Sequence, residues 1–291
     1  MCILIFGSGS FLGKAFFEYT TEKNIQVYGT SEYIKNNEKI FITDYTTMSL
    51  LDILNKTKPL KIYDFKTNLV SSNAEDFKEK NNEVKFTNNI VSAISEHSKN
   101  ITLNKINLIS TNYLDDNTNF KNLDHPYLKA KKIQETTYQS LNKHSIHVNI
   151  FRPPSVVGVG DLNFSRLIPY FVTTQLLKKQ TILNSFPENV KEFITIDTFN
   201  KNLIEEKLDF PSITYSNEEL TNLLLKLLHK HGIKTGHVSW KSNKEKLKKI
   251  KPKKNTNENR LAFENQLDKT VEWYINNLDL VKNQFKKITK F

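Results

Sequence analysis

The sequence predicts an α/β chain: a doubly wound parallel sheet followed by a smaller α/β lobe. Three observations carry this. Short apolar runs of strand length alternate with helical periodicities from residue 2 to residue 151, the pattern of repeated βαβ units. The first run passes straight into a glycine-rich turn and then a helix. After Arg152 the alternation gives way to a different pattern.

In order, Cys2 to Phe6 is a continuous apolar run ended by Gly7-Ser-Gly-Ser-Phe-Leu-Gly13, and a helical pattern follows to about Thr21. Strands are predicted at Ile25–Gly29 and Ile40–Ile42, the latter followed by Asp44. Met48–Asn55 reads as helix and Lys61–Phe65 as strand. Asn88–Lys99 carries Ile90, Val91 and Ile94 at helical spacing. Ile106–Ile109 is a strand ending in Ser110-Thr111, Tyr127–Leu141 a helix, and His147–Phe151 another strand. Beyond Arg152, Leu167–Lys178 and Asn217–His229 read as helices and Phe193–Ile196 as a short strand. The chain closes on an amphipathic helix at Leu261–Leu278. No internal repeat is present.

Of 291 residues, 38% are apolar, enough for a core. The net charge is +11, which could draw nucleic acid, an anionic membrane or a phosphorylated substrate. No aromatic-and-basic motif accompanies the lysines, so nucleic-acid binding is not expected. Lys241–Lys254 holds eight lysines, one glutamate and Pro252, the composition of an exposed loop. The lone Cys2 excludes an internal disulfide framework, and no Cys/His cluster has zinc-ligand spacing, so no metal is expected. With no basic n-region and no long apolar stretch, neither signal peptide nor membrane span is expected, and a cytoplasmic location is the default.

Two features carry chemistry. A strand, a glycine turn and a helix N-terminus bring backbone N–H groups to a pyrophosphate. Gly7 allows the tight turn, Gly9 lets the backbone approach, and Gly13 lets helix and strand lie close. Tyr127 and Lys131 stand four apart on a predicted helix and share a face. A cation beside a phenol of ordinary pKa ~10 favours the phenolate and makes the pair a proton exchanger, the group that hydride transfer at an oxygen-bearing carbon requires. Tyr19–Lys23 matches the same spacing but sits on the first helix, before the sheet is built.

Gly7–Gly13, Asp44, Thr111, Tyr127-x-x-x-Lys131 with Glu135, and Arg152-Pro-Pro-Ser-Val-Val-Gly-Val-Gly-Asp161 occur in that order. Lys191-Glu-Phe-Ile-Thr-Ile-Asp197 and Leu267–Tyr274 follow them. Together they resemble the extended short-chain dehydrogenase/reductases, the NAD-dependent epimerase/dehydratase family in its nucleotide-sugar branch. The resemblance implies a Rossmann-type NAD(P)-binding domain over 1–160, with a later strand near 191–199 returning to it. Residues 161–291 would be mainly a substrate-binding lobe. It implies Tyr127 as general acid/base, Lys131 as the nicotinamide-ribose ligand, and Thr111 as donor to the same substrate oxygen. Gly7, Gly9, Ser10, Phe11, Leu12, Gly13, Ser31, Asp44, Phe65, Lys131 and Pro153 would line the cofactor. Thr111, Asn112, Ser155, Asn163, Arg166 and Lys191 would face a nucleotide-sugar substrate. A homodimer, paired through the helix from about Asn88 and the Tyr127 helix, is implied as well.

The chain departs from that pattern in places. Ser10 replaces the family's middle glycine, and Phe65-Lys-Thr-Asn replaces a small Ala-Ala segment. Lys191 stands where an arginine is common and can serve only as a point charge. Gly29-Thr-Ser-Glu32 excludes neither NAD nor NADP: Glu32 opposes a 2′-phosphate, Lys35 could help one, and the Ser31 hydroxyl leaves room for it, which leans the expectation to NADP. Asn112-Tyr113 follow Thr111 where 4,6-dehydratases place Asp-Glu, which disfavours dehydration. The chain length and the altered loop favour a reductase of a 4-keto-6-deoxyhexose nucleotide over a C4 epimerase with tightly held NAD. A non-catalytic dinucleotide-binding regulator is the reading from another class.

Overall fold

The computed structural model describes residues 1–33, 37–66, 82–97, 103–115, 126–241 and 256–288. Lys35, Thr67, Asn68 and all of the lysine-rich segment after Lys241 lie outside them. The chain divides into one unit of Met1–Pro153 with Asn200–Leu208, and another of Pro154–Phe199 with Asp209–Phe291.

In the first unit, strands β1 (Cys2–Phe6), β2 (Gln26–Ser31), β3 (Ile40–Ile42), β4 (Lys61–Asp64), β5 (Lys105–Ile109) and β6 (His147–Phe151) form one sheet in the order β3-β2-β1-β4-β5-β6. Every pairing is parallel. The order reverses between β1 and β4, and ligands of such sheets bind outside the strands' carboxyl ends at that reversal. The crossovers carry helices α1 (Phe11–Glu22), α2 (Thr47–Thr57), α3 (Asn82–His97) and α4 (Pro126–Gln139).

The two faces of the sheet follow from alternation along each strand. On β4, Ile62 joins a core with Leu50 and Leu54 of α2 and Ile90 and Ile94 of α3, each pair four apart and so on one helix face. Tyr63 points the other way. Its ring lies 4.6 Å from that of Phe16 on α1, and its hydroxyl donates to Leu203 O at 3.1 Å. Helices therefore cover both faces, which is why β1 is apolar at every position.

The second unit holds a three-stranded sheet of β10 (Ile213–Ser216), β9 (Val190–Thr195) and β7 (Ser155–Val157), and a parallel pair of β11 (Val238–Trp240) and β8 (Thr181–Leu183). Its core gathers Phe171, Phe193, Leu220, Leu224, Phe263, Leu267 and Val271. Helix α7 (Asn217–Lys230) opens on a capping box: Ser216 Oγ accepts from Glu219 N at 3.0 Å, and Glu219 Oε2 accepts from Ser216 N at 2.7 Å.

Several boundaries differ from expectation. The strand near 191–199 does not return to the first sheet: it pairs with β7 and β10. Asn200–Leu208, the end of helix α6 (Ile196–Ile204) and its continuation, rejoins the first unit. β2 runs to Ser31 rather than Gly29. The closing helix is two, α8 (Asn257–Asn276) and α9 (Leu278–Ile288), broken where Asn277 caps back to Trp273 O at 3.0 Å. β7, β8 and β11 have three residues each and β10 has four, too few to show a period. Among the described residues no helix is long and apolar enough to cross a membrane, and no group of His, Cys, Asp and Glu could hold a metal.

At the amino end of the first sheet, Lys61 and Lys105 each bond Glu206 at 2.5 Å. Burial alone would raise the Glu206 carboxyl, but the two ammonium groups hold it below its usual value. A lowered folded-state pKa gives stability that is present above the unfolded value of ~4.3 and lost as pH falls through the folded one. Thermal melts of wild type and Glu206→Gln should therefore show the variant less stable at pH 7, with the gap closing below about pH 4. A gap that does not change with pH would refute the assignment.

Candidate functional site

The glycine turn closes on itself before it can meet a ligand. Gly7 has φ +75°, and a Cβ there would stand 2.9 Å from Lys66 N, just past β4. Its N–H donates to Tyr45 Oη at 2.9 Å. A Cβ at Gly13 would collide with the Gly7 carbonyl, so the first turn of α1 lies directly on β1. Ser10, in place of a glycine, has become the N-cap: its Oγ accepts from Gly13 N at 3.2 Å and donates to Gly7 O at 2.8 Å. Among the described residues, no hydrogen bond takes the backbone N–H of Phe11 or Leu12. These are orphan donors of a helix N-terminus, where an anion is favoured. Gly9 faces Ser31 Oγ, the last side chain of β2.

Helix α4 turns an unusual face inward. Pro126 opens it, where a missing N–H costs nothing. Tyr127 is half-buried. Lys131, Gln134, Glu135 and Tyr138 are all buried, Lys131 to 3% exposure. Spacings of three and four place them on one side, and each is matched by a partner. Lys131 Nζ donates to Ile109 O and to Gln134 Oε1, both at 3.0 Å. Gln134 Nε2 lies 3.4 Å from Asp64 Oδ2. Tyr138 Oη donates to the same oxygen at 2.5 Å, and Asp64 Oδ1 accepts from Lys66 N at 2.7 Å. Burial pushes the Asp64 carboxyl up, against the Tyr138 bond, the Lys66 N–H and the charges of Lys131 and Lys66. Burial and the neighbouring Asp64 push the Tyr138 phenol well above its ordinary value.

A second set fixes the end of β5. Glu135 accepts from Ser110 Oγ at 2.6 Å and takes a forked pair from Arg152 Nε and Nη2 at 2.9 and 2.6 Å. Arg152 Nη1 continues to Asp115 at 3.0 Å, and these bonds, Glu135's foremost, raise the guanidinium further. Thr111 is thus held between a clamped Ser110 and Asn112, whose N–H donates to Pro153 O at 3.2 Å. Thr111 is buried, and its Oγ1 accepts from Tyr113 N at 3.4 Å as the cap of a short 3₁₀ turn. Lys131 reaches Ile109, two residues before Thr111, so the helix and the strand end are tied together.

Asp44, Phe65 and Arg166, expected at the site, each have partners of their own. Asp44 is exposed, and its Oδ1 accepts from Thr46 N at 3.0 Å and Thr46 Oγ1 at 2.8 Å. Those two bonds lower its carboxyl. Phe65 is buried, with its ring 5.5 Å from that of Phe16. Beyond it, Lys66 Nζ pairs with Glu32 Oε2 at 2.5 Å. In the second unit, Arg166 bonds Asp161 at 3.0 Å, and Asn163 N–H donates to the same side chain at 3.0 Å. Ser155 begins β7. Lys191, on β9, is only partly exposed, and its ammonium is lowered by desolvation. Among the described residues it makes no salt bridge or side-chain hydrogen bond.

Gln134, Asp64, Tyr138 and the pairing of Lys66 with Glu32, a residue considered only for the 2′ position, were not anticipated. The signal was present: a helix that must bury one face carries Lys, Gln, Glu and Tyr on it, and an apolar strand ends in Asp. Both are departures from the burial rule that demand partners.

The model of the NAD dependent epimerase/dehydratase family matches residues 3–199. No curated protein sequence matches. Among solved structures, the chain is similar to the UDP-glucose 4-epimerase of Thermotoga maritima with UDP-glucose, at 15% identity and TM-score 0.74, covering 96% of this chain and 100% of that one. It is similar to the Thermus thermophilus UDP-glucose 4-epimerase complex with NAD, at 12% identity and TM-score 0.71, with 94% and 99% covered. A dTDP-glucose 4,6-dehydratase of Bacillus anthracis in complex with NAD gives 15% identity and TM-score 0.73, with 98% and 99% covered.

The buried frame makes a stability prediction. Tyr138→Phe removes the donor to a buried carboxylate and should cost about 1–3 kcal/mol in urea denaturation. An unchanged midpoint would mean that Asp64 is satisfied without Tyr138.

Proposed function

Because the chain belongs to the NAD dependent epimerase/dehydratase family, enzymes of the extended short-chain dehydrogenase/reductase type, we propose that it reduces a keto nucleotide-sugar of the 4-keto-6-deoxyhexose type. The observation that carries this reading is the buried polar face of α4, which holds Lys131 against the end of β5 one turn from Tyr127. A core helix has no use for a buried ammonium, whereas an acid/base tyrosine has one.

The residues present fit a dinucleotide. Gly7 and Gly13 let helix and loop close on β1, and the orphan N–H groups of Phe11 and Leu12 suit a pyrophosphate. Gly9, Ser10, Ser31, Asp44, Phe65 and Pro153 complete the proposed cofactor set. When bound, the dinucleotide supplies the hydride. Tyr127 gives its proton to the substrate oxygen, and Thr111 donates a hydrogen bond to that oxygen. The Lys131 charge offsets the negative charge left on Tyr127. Its anchors, Ile109 O and Gln134, keep it in place. The proposed substrate contacts in the first unit are Thr111 and Asn112; in the second unit, Lys191 is the proposed point charge for the sugar diphosphate, with Ser155, Asn163 and Arg166 as further contacts. The names of the similar structures, which bind UDP-glucose or carry NAD, support a nucleotide sugar and a nicotinamide dinucleotide. The hydroxyl of Ser31 at the end of β2 leans the cofactor to NADP. A homodimer through α3 and α4 is part of the reading, with Ile133 42% exposed on α4.

One observation favours a second reading, a C4 epimerase. The chain covers 100% of a UDP-glucose 4-epimerase, which removes its length as a point for the reductase. A panel of 4-keto-6-deoxy sugar nucleotides with NADPH or NADH, run beside UDP-glucose with no added reductant, separates the two. Stoichiometric loss of reduced cofactor is expected, and interconversion of sugars with no added cofactor would replace the reductase by the epimerase. In either reaction, Tyr127→Phe should lower kcat by about 10²–10⁴ with cofactor affinity little changed. Lys131→Met should weaken both turnover and cofactor binding. Wild-type turnover in the first variant would refute the mechanism.

A further inference from the structure

The Lys66–Glu32 ion pair crosses the mouth of the glycine loop. In the sheet, β1 lies between β2 and β4. Glu32 is the first residue past β2 and Lys66 the second past β4, so their bond at 2.5 Å joins the flanking strand ends over the end of β1. Lys66 N lies against Gly7, where an added Cβ would approach to 2.9 Å. The Lys66 ammonium also rests over two rings, 4.9 Å from the centroid of Tyr45 and 4.7 Å from that of Phe86. The Tyr45 hydroxyl in turn accepts from Gly7 N. Side-chain exposure is 9% for Lys66 and 26% for Glu32, and the neighbouring Tyr33 is 88% exposed. Glu32 can turn to solvent, while Lys66 is held by the rings.

In dinucleotide-binding sheets, an acidic residue about twenty positions after the glycines takes the ribose 2′-hydroxyl, and a nearby cation takes a 2′-phosphate. Glu32 stands at that distance from Gly13. The two groups that would read the 2′ position in opposite senses are both present here, and they are bonded to each other. A phosphomonoester carries roughly two negative charges near neutral pH and can displace a single carboxylate from Lys66. A neutral hydroxyl cannot.

We propose that Lys66 and Glu32 set which dinucleotide the site takes, Lys66 exchanging the Glu32 carboxylate for the 2′-phosphate of NADP. This rests on the reading that the glycine loop holds a dinucleotide. Glu32 is then the counter-ion of Lys66 in the free protein and the brake on 2′-phosphate binding. Because the cation comes from the end of β4, the residues at the end of β2 alone do not reveal the preference.

Calorimetric titration of the full chain with NADPH, NADH, 2′,5′-ADP and 5′-AMP tests this without turnover. The wild type should hold NADPH about tenfold tighter than NADH, the worth of one charge-assisted contact, and 2′,5′-ADP tighter than 5′-AMP. Lys66→Met should erase that ratio in both pairs, Lys66→Arg should restore it, and Glu32→Gln should widen it. A Lys66→Met protein that binds with the wild-type ratio overturns the inference and leaves the cofactor reading standing. If that variant does not fold, an unchanged ratio in Glu32→Gln overturns it instead. Failure of every protein to bind either dinucleotide ends the cofactor reading and this inference together.

Discussion

An ammonium group buried to 3% exposure must be answered by acceptors, and much of the first unit is arranged to answer Lys131. A bare ammonium in a core would cost several kcal/mol or give up its proton. Here a backbone carbonyl at the end of β5 and the Gln134 amide accept from it, and Gln134 leans in turn on Asp64. Asp64 is the more strained member. It is fully buried, its carboxyl is pushed up by desolvation, and it depends on Tyr138 and Lys66 N for its bonds. The network is continuous from β4 through α4 to β5.

The same strands carry charge at both ends for different purposes. At their amino ends, Lys61 and Lys105 grip Glu206 and bring a returning segment onto the sheet. At their carboxyl ends stand Asp64 and, after β5, Ser110 and Thr111, each bonded to α4 or capping the turn that follows. Between the ends the residues on one face are Ile62, Ile106 and Leu108, all in one core. The apolar middle supplies cohesion by area, and the polar ends supply position.

Most of the first unit was legible in the sequence because β1 is apolar at every position, the other strands are short runs built around apolar residues, and its helices show clean spacing. The glycine turn declared the first crossover, and Thr111, Tyr127 and Lys131 fell in their elements by order alone. The second unit was less legible. Strands such as Thr181–Leu183 and Val238–Trp240 are too short to carry a period, and they exist because tertiary pairing holds them. Within the site, Gln134 and Tyr138 were hidden for another reason. A polar residue on a helix reads as solvent-facing until one knows which face is covered. Asp64 was hidden because it was read inside a Lys61–Phe65 strand, and alternation alone does not say that a polar strand residue meets a buried helix face. Ser10 looked like damage to a glycine loop and proves to be a helix cap. Asp44, proposed at the cofactor, also holds its own turn.

In the proposed mechanism Tyr127 and the anchored Lys131 serve hydride chemistry on a sugar carbon. The most direct measurement is transfer of deuterium from NADPH labelled at the hydride position to a 4-keto-6-deoxy sugar nucleotide, followed by mass spectrometry of the isolated sugar. One deuterium on the sugar, bound to carbon, is expected for each dinucleotide oxidised. A sugar that carries no label, with the labelled dinucleotide recovered intact, would refute the mechanism.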